Sequence, residues 1–368
     1  MQRGNLRPEI VSSYNLGVEG AFLKNLIRFS FDYYNKETTD LIMENMAIQS
    51  TTGYSSVRRY NGGDVRNRGW EFSLSLNNIV KAGKFSLSLS NINLSRNVNE
   101  ITSLPESMVA EKYTIGNGNY ARKIMEGNPI GSIYGYIFEG VYQNYDETLA
   151  RDASGELIRD VNGNTVPIRV GGTTRMHPGD AKYKDINHDG VIDERDIVYL
   201  GSSFPTITGG GSLVLKYKGW QLRTSLHFRL GHSIVNKVRH DLENMNTGNN
   251  QSKNVLRRWR YEGDDTDVPR ALWGVNYNSM GSSKFVEDGS FLKIKDITLS
   301  YRIPQSFCSK LGITNAMLSL TTYNLFTFTN YSGQDPEVGV GAGAYGLAID
   351  SSRTPPSRRV AFNISFSF

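Results

Sequence analysis

The sequence predicts an all-β fold, an antiparallel transmembrane β-barrel to which this chain contributes only a part. Two observations carry the prediction. Several segments alternate apolar and polar residues over about ten positions, as barrel strands do. The connections between these segments are alternately short and long. The 368 residues include 20 Tyr and 16 Phe but no apolar run that could form a transmembrane helix.

The strands are predicted from a period of two in hydrophobicity. The pattern is clearest in residues 27–34, 70–77, 220–230 and 360–368, where apolar side chains fall on one face and polar side chains on the other. Strands of about ten residues fit a tilted bilayer span, whereas the strands of a water-soluble sandwich are usually about five or six residues long. The segments therefore favour a membrane barrel.

The connections give an independent signal. Short connections at 19–25, 78–84, 217–220 and 304–315 alternate with long ones, as periplasmic turns alternate with extracellular loops in outer-membrane barrels. To keep this alternation, residues 133–143 must lie inside one large extracellular excursion. The long connections are 39–64, 97–205, 232–289 and 329–357.

About nine spanning strands remain, the first over residues 9–19 and the last ending on the periplasmic side at Phe368. Two strands change parity, near residues 90 and 295, which predicts a β-bulge or a strand leaving the bilayer. Single-chain bacterial barrels use even strand numbers, and an open sheet edge cannot face lipid. We therefore expect residues 1–368 to be the C-terminal part of a larger barrel, which also explains the lack of a signal peptide in "MQRGNLRPEI".

Composition argues against several functions. The net charge of +5 comes from scattered Lys and Arg, which gives no support to a nucleic-acid partner. A single cysteine, Cys308, excludes an intramolecular disulfide or a cysteine zinc site and is expected to be a small apolar filler. No Ser/His/Asp or Cys/His arrangement has a supporting context, so we predict that the chain is not an enzyme.

The segment "DINHDGVIDERD", 185–196, has the spacing of a calcium loop, with Gly190 at the tight turn. Oxygen ligands would come from positions 1, 3, 5, 7, 9 and 12: Asp185, Asn187, Asp189, the Val191 carbonyl, Asp193 and Asp196. We predict a structural Ca²⁺ that pins an extracellular loop. The alternative is a metal-free turn whose side chains cap backbone N–H groups.

Two further pairs of residues are candidates for substrate contact. His227 and Arg229 lie on the polar face of their strand and are expected to face the lumen, where polar residues are also the norm. Trp259 and Tyr261 lie in a long loop and could stack on sugar rings, or they could simply pack the loop.

Several blocks of the sequence, taken in order, resemble the SusC/RagA family of TonB-dependent outer-membrane transporters. They include "LRPEIVSSYNLGVEGAFLKNLIRFSFDYYNKETTDLI", "NGGDVRNRGWEFSLSL", "GYIFEGVYQ", "PGDAKYKDINHDGVIDERDIVYLGSSFPTITGGGSLVLKYKGWQL", "FVEDGSFLKIKDITLSYRIP" and "YNLFTFTNYSGQDPEVG". The resemblance covers essentially the whole chain. One departure is Pro355–Pro356 without a preceding aromatic residue, where the family often has an aromatic–proline turn.

The resemblance implies a barrel of about 22 strands with a plugged lumen, in the outer membrane of a Gram-negative, Bacteroidetes-type bacterium. The plug, the TonB-contacting segment and the first strands would precede residue 1. A SusD-like surface lipoprotein would cover the barrel, and TonB would drive import of glycans, oligosaccharides or peptides. Phe366 and the terminal Phe368 would serve as the outer-membrane assembly signal. The alternative is a calcium-stabilised, β-rich cell-surface module for carbohydrate binding or adhesion, which solubility without detergent would favour.

Overall fold

The structure, a computed structural model, describes residues 6–47, 56–104, 120, 125–339 and 347–368. The strands within these residues are β1 (Ile10–Phe22), β2 (Ile27–Thr39), β3 (Ile42–Ala47), β4 (Ser56–Asn61), β5 (Asp64–Ala82), β6 (Phe85–Ser103), β7 (Ser132–Gly135), β8 (Phe138–Val141), β9 (Arg169–Val170), β10 (Thr174–Arg175), β11 (Ala181–Tyr183), β12 (Val191–Ile192), β13 (Val198–Ser202), β14 (Ile207–Tyr217), β15 (Trp220–Leu230), β16 (Ser233–Asn236), β17 (Val286–Asp288), β18 (Phe291–Arg302), β19 (Asn315–Thr329), β20 (Ile349–Asp350) and β21 (Arg359–Ser367).

Helices are short throughout the described residues, and none is both long and apolar enough to cross a membrane. The α-helices are α1 (Lys237–Glu243) and α2 (Gln305–Cys308). Six 3₁₀-helices cover Asp146–Thr148, Glu194–Asp196, Lys253–Arg257, Tyr277–Ser279, Ser283–Phe285 and Ser309–Leu311.

Nine of the described strands form one antiparallel sheet in the order β1-β2-β5-β6-β14-β15-β18-β19-β21, which we call the wall. Each wall strand pairs with the next wall strand along the chain, so the predicted nine-stranded partial barrel is confirmed. Within the described part of the chain, β1 and β21 each pair on one side only. The wall is therefore an open sheet with two free edges.

Short turns join alternate pairs of wall strands at one end, the turn end, and long segments join the others at the opposite, loop end. The β1–β2 turn uses three consecutive left-handed residues, Leu23, Lys24 and Asn25, and the β14–β15 turn uses Lys218. β6 continues to Ser103, beyond residue 97, where the long connection was predicted to begin, because it keeps pairing with β5 as far as Asp64.

The two predicted changes of parity correspond to irregular pairing. The β18–β19 register shifts between Ile294 and Asp296, and the β6–β14 register shifts between Gly210 and Ser212. An inserted residue turns the following side chains to the other face of a strand. Each shift therefore keeps the apolar residues on one face along the whole strand.

The wall has one apolar and one polar face. Leu222, Leu299, Leu320 and Phe362 lie opposite one another on adjacent strands, and all four side chains are exposed. Exposed apolar residues in a cross-strand row are what a lipid-facing barrel surface presents. The polar face carries the next residue of each strand and is the face that a barrel turns toward its lumen.

The main core lies outside the wall, in the long connections at the loop end. β7 and β8 are not wall strands; they pair with β13 and β11 in two small sheets. The cluster includes Tyr134, Tyr142, Met176, Tyr183 and Ile192, all buried. We call the residues between β6 and β14 that pack on this cluster the cap. A fully buried Asp180 ties the cap to the β16–β17 connection through Arg270 Nε at 2.7 Å.

Candidate functional site

The polar face is continuous across the wall. One row of paired residues runs through seven strands, and its members are Ser30, Ser73, Asn93, Gly210, His227, Lys293 and Thr327. Hydroxyl groups hydrogen-bond across the strands: the Ser30 and Ser73 oxygens are 2.8 Å apart. This face is suited to contact water and polar solutes rather than lipid.

His227 and Arg229 lie on this face, as the period of two predicts. Arg229 pairs with Phe291 on the neighbouring strand. The His227 ring packs against the same phenylalanine in a T-shaped arrangement, with the two ring centroids 5.8 Å apart. A cavity of about 440 Å³ beside His227 is also lined by Asp32 and Glu71. Both side chains therefore lie on the polar face, and their contact with a substrate stays a prediction.

An ionic cluster also lies on the polar face; it consists of Lys293, Lys295, Asp335 and Glu337. The Lys293 ammonium is 2.8 Å from Asp335 Oδ2 and 2.9 Å from Glu337 Oε2, and Lys295 Nζ is 2.7 Å from Glu337 Oε2. Lys293 is only 2% exposed. The cluster holds the segment after β19 against the polar face of β18.

Burial and charge act in opposite directions on Glu337. Burial alone would raise the pKa of its carboxyl, but hydrogen bonds from Lys295 and Lys293 outweigh burial and hold the pKa below its usual range. The ionised pair is therefore the stable form at neutral pH. Sequence reasoning missed this cluster, although two lysines spaced by two on a predicted polar face were a usable signal.

The two loop aromatics have different environments. The Trp259 indole Nε1–H donates a hydrogen bond to Gln143 Oε1 at 3.2 Å, and its ring packs directly against Gly179, leaving no space for a side chain there. Trp259 thus packs the long loop against the cap. Tyr261 is 66% exposed, whereas Trp259 is partly buried, so the Tyr261 ring is the more open of the two to a ligand.

The predicted calcium loop is closed by its own hydrogen bonds. Asp185 accepts from the backbone N–H groups of Asp189 and Gly190, and Gly190 has a φ of +80° at the tight turn. Asp196 accepts from Ile186 N at 2.7 Å and Asp193 N at 2.8 Å. This is the capping arrangement that the metal-free alternative describes.

Arg195 supplies positive charge inside the same loop. Its guanidinium is 2.6 Å from Asp189 and 2.7 Å from Asp193. Among the described residues, no three His, Cys, Asp or Glu side chains converge as a metal site. Asp196 is fully buried, and burial raises the pKa of its carboxyl. The donor atoms are of the type that Ca²⁺ prefers, but in this arrangement they are engaged by N–H groups and by Arg195, so calcium binding stays a prediction.

The C-terminal aromatics belong to the apolar face. Phe366 of β21 pairs with Ala316 of β19 and is half exposed, and Phe368, just after β21, is 90% exposed. Both rings are accessible at the turn end, as an assembly signal requires. That role stays a prediction.

Comparisons with a protein-family model and with known proteins point to the same family. The model described as "TonB dependent receptor-like, beta-barrel" matches residues 1–187. TonB-dependent receptor P3 of Formosa agariphila is 31% identical over 346 residues, covering 90% of this chain and 31% of that protein. TonB-dependent receptor SusC of Bacteroides thetaiotaomicron is 26% identical over 374 residues, covering 99% of this chain and 32% of that protein.

The solved structure of the RagAB peptide transporter has the same fold over 98% of this chain and 35% of its own, with 24% identity and a TM-score of 0.71. The RagAB peptide importer in its "open-open" state matches 97% of this chain and 34% of its own, with a TM-score of 0.69. This chain spans only 31% to 36% of the length of the curated relatives it matches.

Proposed function

Because the chain belongs to the TonB-dependent receptor-like β-barrel family, we propose that it forms nine adjacent wall strands of an outer-membrane importer. The observation that carries the proposal is the two-faced wall, apolar on one side and polar on the other, with free edges at β1 and β21 in the described part of the chain. Free edges cannot face lipid. The rest of the importer would supply the strands that close the barrel.

The cargo that we propose is a glycan, an oligosaccharide or a peptide. Two relatives support this range, since one carries the name SusC and another is a peptide transporter. A SusD-like surface lipoprotein would cover the loop end, and TonB would act through a segment outside this chain. The chain would bind and pass its cargo without chemical change, so its role is transport rather than catalysis.

The test is uptake by the bacterium that carries the gene. We expect deletion of the complete importer gene to abolish growth on one class of oligosaccharide or peptide, and deletion of tonB to have the same effect. Complementation with the intact gene should restore growth. Normal growth of the deletion strain on every glycan and peptide source in such a panel would contradict the proposal.

For the loop 185–196, we propose a weak structural calcium site in which Ca²⁺ would displace Arg195. Its support is the set of five oxygen side chains in register and the tight turn at Gly190. Extracellular sites of this kind bind at roughly 10⁻⁴ to 10⁻³ M. Because Arg195 competes for Asp189 and Asp193, the Arg195→Ala variant should bind more tightly than the parent protein.

Calcium binding can be measured on the full importer by thermal melting with Ca²⁺ or with a chelator. Ca²⁺ at 100 times its Kd should stabilise the protein by about 2.7 kcal/mol, and an Asp185→Asn, Asp189→Asn double variant should lose this gain. If Ca²⁺ at this concentration gives neither the parent nor Arg195→Ala a higher melting temperature than the chelator does, the loop is a metal-free turn.

A further inference from the structure

A group of arginines lies on the apolar face of the wall, immediately beyond the apolar residues. The apolar side chains of β6 run from Phe85 to Leu94, about ten residues, which is the length of a tilted bilayer span. The next residue on the same face is Arg96. On β5 the corresponding position is Trp70, which pairs with Arg96, and Arg68 follows it.

The aromatic residues beneath the arginines mark the edge of the bilayer. Tyr33 of β2 pairs with Trp70, and Trp and Tyr rings are enriched where hydrocarbon meets headgroups. Arg68 pairs with Val98, so Arg68 and Arg96 are diagonal neighbours across β5 and β6. Their Cα atoms are therefore about 7–8 Å apart, a separation that lets two guanidinium groups reach one anion.

Among the described residues, the arginines of this face outnumber the acids beside them. Arg66, one position further from the bilayer on the same face, is 2.8 Å from Glu100 and lies opposite Glu37. Arg68 and Arg96 are exposed, and the described part of the chain places no acidic side chain within 4.0 Å of either, although the Glu100 carboxylate interacts with Arg68 over a longer distance. Because Glu100 already pairs with Arg66, the three arginines outnumber the two nearby acids, Glu100 and Glu37, and leave net positive charge for an external anion.

A cavity adjoins the two arginines where β6 extends past the start of β14. β6 pairs with β14 only as far as Ser95 and Thr208, and beyond that point a cavity of about 790 Å³ opens beside β6. Its walls include Arg68, Arg96, Tyr199, Phe204 and Thr206, together with Glu100, whose carboxylate pairs with Arg66. A cavity with cationic, aromatic and hydroxyl groups fits a bulky, phosphorylated, sugar-containing headgroup better than a small ion.

We propose that Arg68 and Arg96 form a binding site for the phosphate-bearing headgroup of an outer-leaflet glycolipid. This inference rests on the proposed outer-membrane function, because only that orientation places the loop end of the wall at the outer leaflet. Guanidinium groups bind phosphate in bidentate geometry. The lipid chains would lie along the apolar face of β5 and β6, below Trp70.

The test uses the full importer purified in detergent and monophosphoryl lipid A as the probe. The Arg68→Gln, Arg96→Gln double variant should bind this lipid about 30-fold more weakly than the parent, and each single variant about fivefold more weakly. A matched control, Arg28→Gln with Arg223→Gln, removes the same charge from the polar face and should leave lipid binding unchanged.

Two further arms identify the ligand. The same lipid after removal of its phosphate should bind the parent as weakly as phosphorylated lipid binds the double variant, and inorganic phosphate should bind more weakly than the lipid. Three results would each overturn the proposal. The parent and the double variant could bind the lipid equally well, the control could lose as much lipid binding as the double variant, or inorganic phosphate could bind as tightly as the lipid.

The proposed function is tested separately on the same preparations. Heat-modifiable migration on gels reports whether each variant forms a barrel, and fractionation reports whether it reaches the outer membrane. An assembled double variant with unchanged lipid binding would refute the lipid site alone. A parent protein absent from the outer membrane would instead refute the proposed function.

Discussion

At the scale of single residues, the ionic cluster places a buried positive charge on the polar face of the wall. Lys293 is almost fully buried and depends on Asp335 and Glu337 for its counter-charge. A buried charge that loses its partners costs several kcal/mol, whereas a partly exposed pair contributes little. Removing the two acids should therefore cost much more stability than removing the partly exposed Lys295.

Replacing both acids, Asp335→Asn with Glu337→Gln, should destabilise the segment after β19 by about 3–5 kcal/mol, because Lys293 stays buried without a counter-charge. Lys295→Met should cost less than about 1 kcal/mol, since Lys295 is 33% exposed and Glu337 keeps Lys293. Hydrogen exchange of residues 331–338 in the full importer measures both. Equal protection in the double variant and the parent would contradict the structural role of the cluster.

The same cluster should respond to acid. The pKa of Glu337 is lower in the folded protein than in the unfolded chain, so its contribution is complete above the unfolded pKa of about 4.3 and is lost as the pH falls through the folded value. We expect hydrogen exchange of residues 331–338 to rise below about pH 4. In Glu337→Gln this rise in hydrogen exchange should be smaller. If the variant and the parent show the same dependence of exchange on pH, Glu337 is not the group that causes the rise.

These residue contacts could be predicted from the sequence only in part. The alternation of β15 placed His227 and Arg229 on the polar face. A strand pattern could not show that Lys293 contacts Asp335, 42 positions later, because that contact depends on the path of the segment after β19. Likewise, the spacing of the loop 185–196 identified its oxygen atoms. It did not show that Arg195 would form ion pairs with two of the carboxylates, Asp189 and Asp193.

At the scale of elements, close strand pairing depends on particular glycines. Gly69 in β5 is buried, and a Cβ atom at this position would collide with the backbone oxygen of Arg96 and the hydroxyl of Tyr34. The pairing of β5 and β6 thus requires the absence of a side chain at Gly69. Gly211 in β14 is less restricted, because the nearest atoms would be 3.3 Å away, in Ile92.

Gly69→Ala should therefore destabilise the assembled barrel by about 1–3 kcal/mol, the usual cost of overpacking, and Gly211→Ala should cost less. The melting temperature of heat-modifiable protein on gels measures both effects. A Gly69→Ala protein as stable as the parent would show that β5 and β6 can separate freely at this point.

The wall strands were predictable because a sheet with one apolar and one polar face imposes a period of two on each strand. The cap was less accessible to sequence reasoning. Its core joins Tyr134, Tyr142 and Met176 from short strands and turns that carry no sustained period. Its buried ion pair, Asp180 with Arg270, joins residues 90 positions apart. Such contacts follow from chain path rather than local pattern.

At the scale of the whole molecule, the wall is an incomplete barrel. Free edges at β1 and β21 leave backbone N–H and C=O groups that lipid cannot satisfy. Residues 1–368 expressed alone should therefore fail to give a heat-resistant monomer in detergent, whereas the full importer should give one. A stable monomeric barrel formed by the 368 residues alone would contradict this expectation.

The central claim is that the two faces of the wall contact lipid and lumen in an assembled outer-membrane barrel. Neighbouring residues of β21 test it most directly, because Phe362 lies on the apolar face and Asn363 on the polar face. The measurement is maleimide labelling, in intact outer membranes, of full importers carrying Phe362→Cys or Asn363→Cys. The single native cysteine of this chain, Cys308, is buried and adds little background.

A water-soluble maleimide should label Asn363→Cys and spare Phe362→Cys, while a lipid-soluble maleimide should label Phe362→Cys. That pattern would establish that β21 separates lipid from an aqueous lumen. Equal labelling of both positions by the water-soluble reagent would contradict the barrel and would favour a cell-surface module outside the bilayer.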